Sequence, residues 1–244
     1  MDVTGNPGSQ ATSVWNSNPN SKTANTLESA YSGFAVPHRI VGSISYRKEY
    51  FKHTATTISL FYEGANAEVF SYTYSSDLNG DGNGFDLMYI PRNSSEIIFL
   101  STTINGVTYS PAQQWEIFNT FIENDPYLRK HRGNYAERNG AKLPFYHKLD
   151  AKLLQDFFVN VGNRRHTLQF SVDVLNLPNL INKEWGIRKA TVSRNPLAPA
   201  GADANGVPQF RLNGVNNQPV SYSFQDVIST TSTWGLQLGL RYIF

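Results

Sequence analysis

The sequence contains no cysteine, which excludes disulfides and thiolate metal centres. No run of 18 apolar residues occurs either, so no transmembrane helix is encoded. Membrane-crossing strands are not excluded by that, because each needs only ~9–11 alternating residues. Charge is scarce: Asp, Glu, Lys and Arg make up 16% of 244 residues and the net charge is +2, too near balance for an electrostatic nucleic-acid site. Residues 1–5 show neither the charged n-region nor the apolar h-region of a signal peptide. An exported protein carrying this sequence is therefore expected to begin upstream of Met1. Catalytic constellations are missing as well. The five histidines (His38, His53, His131, His147, His166) lie in separate segments, with no His-x-x-x-His spacing and no Gly-x-Ser-x-Gly elbow, so no enzymatic activity is expected.

What is abundant is aromatic and apolar side chains, 13% and 40% of the chain, arranged with a period of two. In the last fourteen residues Trp234, Leu236, Leu238, Leu240, Tyr242 and Phe244 share one parity, while Gly235, Gln237, Gly239 and Arg241 fill most of the other. That is a strand with one apolar face. The same pattern runs over residues 38–50, 54–63, 147–159 and 165–175. A short break at 51–53 and Gly162-Asn163 turn these into two hairpins.

The rest is long connection. Residues 1–37 form a loop punctuated by Asn, Pro and Gly. Residues 64–146 form a second, with a short strand over Phe70, Tyr72 and Tyr74 extending the first hairpin outward. A helix near 111–124 follows, signalled by Ser110 as N-cap, Pro111 at its first position and Gln113 closing a capping box. Asp125-Pro126 ends the helix, and residues 129–133 read as a solvated basic turn. Residues 177–230 form a third loop, with short strands at 185–192 and 219–224, before the terminal strand at 231–244.

Very short turns thus alternate with excursions of some fifty to eighty residues, which puts all short turns at one end of the strands and all long loops at the other. A transmembrane β-barrel has this asymmetry, with short periplasmic turns and long extracellular loops. Counting crossings leaves the C-terminus on the short-turn, periplasmic side. Five strands do not close a barrel, whose smallest bacterial form has about eight, so the expected fold is all-β, an antiparallel portion of a larger transmembrane barrel. A soluble β-sandwich or propeller fragment is the competing reading, since any half-buried antiparallel sheet alternates. Such folds space turns every ~8–12 residues.

Several segments carry a resemblance: residues 37–43 (PHRIVGS), the Asp-Leu-Asn-Gly-Asp-Gly stretch running into residues 86–91 (DLMYIP), Val174-Leu175-Asn176-Leu177 with residues 179–182 (NLIN) and Trp185-Gly186, and the terminal aromatic. In this order they resemble the C-terminal barrel region of TonB-dependent outer-membrane receptors, nearest to the Bacteroidetes SusC-like and Oar-like branch. The resemblance covers most of residues 34–244. It implies a barrel of about 22 strands filled by a plug, in the outer membrane of a Gram-negative bacterium. Such a barrel imports an oligosaccharide, peptide or metal chelate with energy delivered by TonB. The partners implied are outer-membrane lipids, the remaining barrel and plug of the same protein, TonB acting through that part, and a surface lipoprotein. Leu240, Tyr242 and Phe244 match the family's C-terminal barrel-assembly signal.

Residues 77–86 hold the site-like chemistry. Asp77, Asn79, Asp81 and Gly82 match positions 1, 3, 5 and 6 of an EF-hand loop, with Asn83 adjoining, but position 12 is Met88. Calcium therefore needs Asp86 as substitute for the bidentate Glu. The competing reading is a loop of Asx turns, where Asn, Asp and Gly serve turn geometry. No cofactor is required; calcium is the one this loop admits. Trp115, Tyr127, Tyr135 and Trp185 are candidate ligand-stacking aromatics in the long loops. Three functions follow: a transporter-barrel segment, an outer-membrane barrel used for adhesion or protein translocation, or a soluble secreted calcium-binding module that binds carbohydrate.

Overall fold

The computed structural model of the chain describes residues 17–23, 25, 26 and 28–244. Strands hold 46% of residues and helices 12%, so the protein is all-β with short helical insertions. The chain divides into two compact units. One comprises Val36–Ala67, Pro144–Lys189 and Asp226–Phe244; the other comprises Glu68–Leu143 and Ala190–Gln225 with the described part of Met1–Ala35.

The first unit is built on five strands: β1 (Arg39–Tyr50), β2 (Thr54–Asn66), β3 (Phe145–Val161), β4 (Arg164–Leu175) and β5 (Gly235–Ile243). They pair antiparallel in chain order, β1-β2-β3-β4-β5. Phe51 and Lys52 both take positive φ (47° and 59°) in the β1–β2 turn, and Gly162 (60°) does so between β3 and β4. Left-handed turn residues match the twist of the flanking strands. Both short turns lie at one end of the sheet, and the ends of β2, β4 and the start of β5 lie at the other. Among the described residues neither β1 nor β5 has a further partner, so the sheet is open. The terminal strand starts at Gly235 rather than 231, because the amides of Ser232 and Thr233 bond to the Ser229 carbonyl in a turn.

The second unit has its own core, centred on Phe70, Tyr72, Phe118, Phe121, Ile122 and Leu197, each buried. Helix α1 (Pro111–Asn124) carries the Ser110/Gln113 capping box and buries Phe118, Phe121 and Ile122. The Asp125-Pro126 stop is also a start: Asp125 Oδ1 accepts the amides of Tyr127 (2.8 Å) and Leu128 (3.0 Å), opening helix α2 (Pro126–Lys130), which takes in the first two residues of the expected basic turn and leaves 131–133 as turn. Side-chain amides bind distant segments together. Gln114 Nε2 donates to the Leu100 carbonyl (2.7 Å) while its Oε1 accepts the Leu212 amide (3.0 Å). Asn195 Nδ2 donates to the Tyr74 carbonyl (2.9 Å). Each satisfies backbone groups that irregular chain would otherwise bury unpaired.

Three expectations are corrected here. The strand over 70–75 is only Val69–Phe70, paired with Ala141–Lys142 rather than prolonging the first hairpin. Ser71 and Thr73 are buried along with Phe70, Tyr72 and Tyr74, so the alternation there does not mark a half-exposed face. In place of strands at 185–192 and 219–224 stand Lys189–Thr191, Gln218–Pro219 and Phe224–Asp226, and a hairpin of Leu197–Ala202 with Pro208–Leu212 went unpredicted.

Candidate functional site

The register sorts the five strands' side chains into two opposed surfaces. Ile44, Leu60, Ala151, Val174 and Leu236 stand in one row across the sheet, and Tyr46, Ile58, Leu153, Val172 and Leu238 in the next. All five expected apolar stripes therefore fall on one face. Much of it is bare: Ile44 is 69% exposed and Leu238 70%. Aromatic rings bound the apolar rows, with Tyr62 and Trp234 toward the long-connection end and Tyr50, Phe157 and Tyr242 toward the short turns. Contiguous exposed apolar surface on this scale marks an interface rather than a water-facing wall.

In the row of Lys48, Thr56, Gln155, Phe170 and Leu240, the polar groups of Thr56 and Gln155 pair with one another and with Tyr50 of the next row. Tyr50 OH and Thr56 Oγ1 lie 2.6 Å apart, and Gln155 Oε1 accepts from both Thr56 (2.6 Å) and Tyr50 (3.0 Å). Such closure removes most of the cost of placing these groups away from water.

The opposite face is charged and ion-paired across strands. Arg47 Nη1 meets Asp156 Oδ2 at 2.7 Å, Lys152 meets Asp173 at 2.8 Å, Arg39 meets Glu63 at 2.8 Å and Arg165 meets Glu49 at 3.3 Å. Each exposed pair contributes ~0–1 kcal/mol. Their consequence is less stability than character, since this surface suits water and the other does not.

The expected assembly signal continues the apolar face. Leu240, Tyr242 and Phe244 are all exposed, Phe244 at 77%. Tyr242 OH lies 2.6 Å from His166 Nδ1, and its ring stacks with Phe244 at 5.7 Å.

In the 77–86 loop the oxygens serve the backbone. Asp77 accepts the amides of Gly80 (2.7 Å) and Gly82 (2.9 Å), Asn79 that of Asp81 (2.9 Å), Asp81 that of Asn83 (2.8 Å) and Asn83 that of Phe85 (2.9 Å). Asp86 is buried and accepts the Leu78 amide at 2.7 Å. The Gly82 amide, with Gly80's, holds the Asp77 carboxyl below its ordinary range, whereas burial pushes Asp86 upward against its two amide donors. Among the described residues no three His, Cys, Asp or Glu side chains converge as a cation requires. This is a ladder of Asx turns.

The candidate aromatics are dispersed. Trp115 is half-buried on α1, Trp185 is exposed, and Tyr135 packs edge-on against Tyr89 at 5.3 Å. Tyr127 stacks on His131 at 4.1 Å, and its hydroxyl accepts the Glu137 amide at 2.7 Å. Burial pushes the Tyr127 phenol up to about 12. With Tyr31, Arg138 and Lys142 these residues line a cleft of about 590 Å³, within the ~300–1,000 Å³ usual for small-molecule sites. The basic turn's Arg132 is internal scaffolding, reaching Glu123 (2.7 Å), Asn119 (2.6 Å) and the Pro91 carbonyl (2.9 Å).

Asn176 and Asn179, noted in the sequence only as parts of a motif, hold the β4–β5 connection. Asn176 adopts left-handed φ (53°) just before helix α3 (Leu177–Ile181), and its Nδ2 donates to the carbonyls of Ser232 (2.8 Å) and Gly186 (3.1 Å). Asn179 Nδ2 donates to the Trp185 carbonyl and its Oδ1 accepts the Trp234 amide, both at 3.0 Å. The signal for this was the recurrence of Asn at chain reversals.

Compared with known proteins, the chain matches no family model, no curated protein and no solved structure.

Proposed function

We propose that the five-stranded sheet is a stretch of transmembrane β-barrel wall, its apolar face against lipid and its ion-paired face toward a water-filled or plugged interior. More particularly, the protein is a TonB-dependent outer-membrane receptor of the SusC-like or Oar-like kind. It imports a nutrient and works with the remaining barrel and plug, TonB and a surface lipoprotein. On this reading the short turns and Phe244 lie in the periplasm of a Gram-negative bacterium, and the long connections lie outside the cell. The cleft around Tyr127 is the part of those connections best shaped to touch a substrate.

One observation carries the proposal. In a register read along all five strands, every apolar stripe meets on a single exposed face edged by aromatic rings, while the other face is cross-linked by opposite charges. That alternation of lipid-facing and interior-facing residues is what a membrane barrel requires.

Because the chain has no cysteine, single labels test it cleanly. A nitroxide at Leu238→Cys in bilayer-reconstituted protein is expected to be relaxed by oxygen, and one at Gln237→Cys by a water-soluble nickel chelate. Water-soluble relaxation at both positions sinks the membrane reading.

A further inference from the structure

On the membrane-wall reading, we infer that the apolar face carries a specific site for an anionic phospholipid at its short-turn end. A groove of about 530 Å³ opens there, its floor made by Phe157, Val159, Val161 and Leu168. The polar side chains lining it are His53, Thr54, His166 and Tyr242, and no carboxylate lines it. His53 Nδ1 faces the Phe158 carbonyl at 3.1 Å, so it carries a proton and leaves Nε2 available. Tyr242 and His166 share a hydrogen bond.

Two cations adjoin residues of this groove, one in register and one in sequence. Arg164 pairs in register with Val161, is exposed, and stands on the face that carries the groove. Lys52 sits at the tip of the neighbouring turn, directly before His53. Among the described residues neither forms an ion pair. An apolar trough bordered by hydroxyl and imidazole groups and two unpaired cations, with no acid, matches an acyl chain joined to a phosphate. A wholly apolar partner would leave both charges unanswered, and an acidic peptide would leave the trough unfilled. The occupant is therefore a membrane phospholipid with net negative charge.

The test uses protein reconstituted in vesicles of phosphatidylglycerol or phosphatidylcholine, re-extracted in mild detergent, with retained lipid counted by native mass spectrometry. One phosphatidylglycerol per chain is expected, with phosphatidylcholine retained at least tenfold less. The Lys52→Ala/Arg164→Ala variant is expected to lose phosphatidylglycerol at least tenfold, and Val159→Trp, which fills the trough, to lose it equally. Equal retention of both lipids by the unaltered protein, or undiminished retention by the double variant, overturns the site. The comparison of the two lipids needs no variant to fold. A label at Leu238→Cys in the same vesicles separates the two levels: lipid contact there without lipid retention overturns only this site, whereas water contact there overturns the membrane reading itself.

Discussion

Placing an arginine at Leu238 is the sharpest energetic test of which way the apolar face looks. Leu238 lies in the row of Tyr46, Ile58, Leu153 and Val172, with Trp234 and Leu236 before it along the chain and Leu240 and Tyr242 after it. It is therefore central to the band. At 70% exposure within the chain its side chain has few protein contacts to lose. In water such a change is worth within ~0.5 kcal/mol. At a bilayer midplane Arg costs ~2–4 kcal/mol, a factor of roughly 30 to 900 in the folding equilibrium at ~1.36 kcal/mol per decade. Gln237→Arg is the control. Its register partner is Asp173, already beside Lys152 on the charged face, and its effect should stay within ~0.5 kcal/mol. Denaturant unfolding of vesicle-inserted protein, followed by tryptophan fluorescence, measures both. Equal costs for the two variants, or a cost at Leu238 below ~0.5 kcal/mol, would refute the assignment of faces.

Asn176→Ala removes two donors from buried carbonyls and should cost ~2–4 kcal/mol, read as earlier hydrogen exchange across residues 177–186; unchanged protection there would contradict the role. Gly186→Ala should be at least as damaging, since φ is 67° and the added Cβ would meet Asn176 Oδ1 at 2.1 Å; a melting temperature equal to that of the unaltered protein would show that the connection relaxes. Tyr72 is raised far above its ordinary value near 10 by burial and then by the Asp125 charge, Tyr74 is raised mainly by burial, and Tyr127 reaches about 12. Because their neutral forms belong to the fold, the stability they contribute is intact below pH ~10 and is lost above it as the unfolded phenols ionise. Absorbance at 295 nm should therefore show late-titrating tyrosines that ionise together with unfolding, and early titration of all thirteen would count against the packing. Millimolar calcium should give no saturable heat in calorimetry, given the engaged oxygens of Asp77, Asn79, Asp81 and Asn83; a stoichiometric heat would show that the ladder rearranges around metal.

The long strands were legible because a period-two stripe is enforced wherever one face meets a different medium, and Leu236 to Phe244 obey it at every other residue. The α1 start was legible for a local reason, as Ser110, Pro111 and Gln113 satisfy the first helical amides within one turn. What could not be read was the second core. Tyr74, Gln114, Asn195 and Leu212 lie far apart in sequence, and no periodicity marks an amide that bridges two distant segments. The 77–86 loop was ambiguous for a different reason. Asn, Asp and Gly favour calcium and Asx turns for the same oxygen-bearing, turn-forming chemistry, and only geometry separates the two.

The apolar rows do not end evenly toward the short turns. On β1 the apolar stripe is broken after Tyr46 by Lys48 and resumes only at Tyr50, whereas on β5 it runs unbroken from Leu238, in Tyr46's row, through Leu240 and Tyr242 to Phe244. An edge oblique to the rows is what strands inclined to a barrel axis would produce, so on the membrane-wall proposal the side chains of an open five-stranded sheet carry a record of how its strands lean.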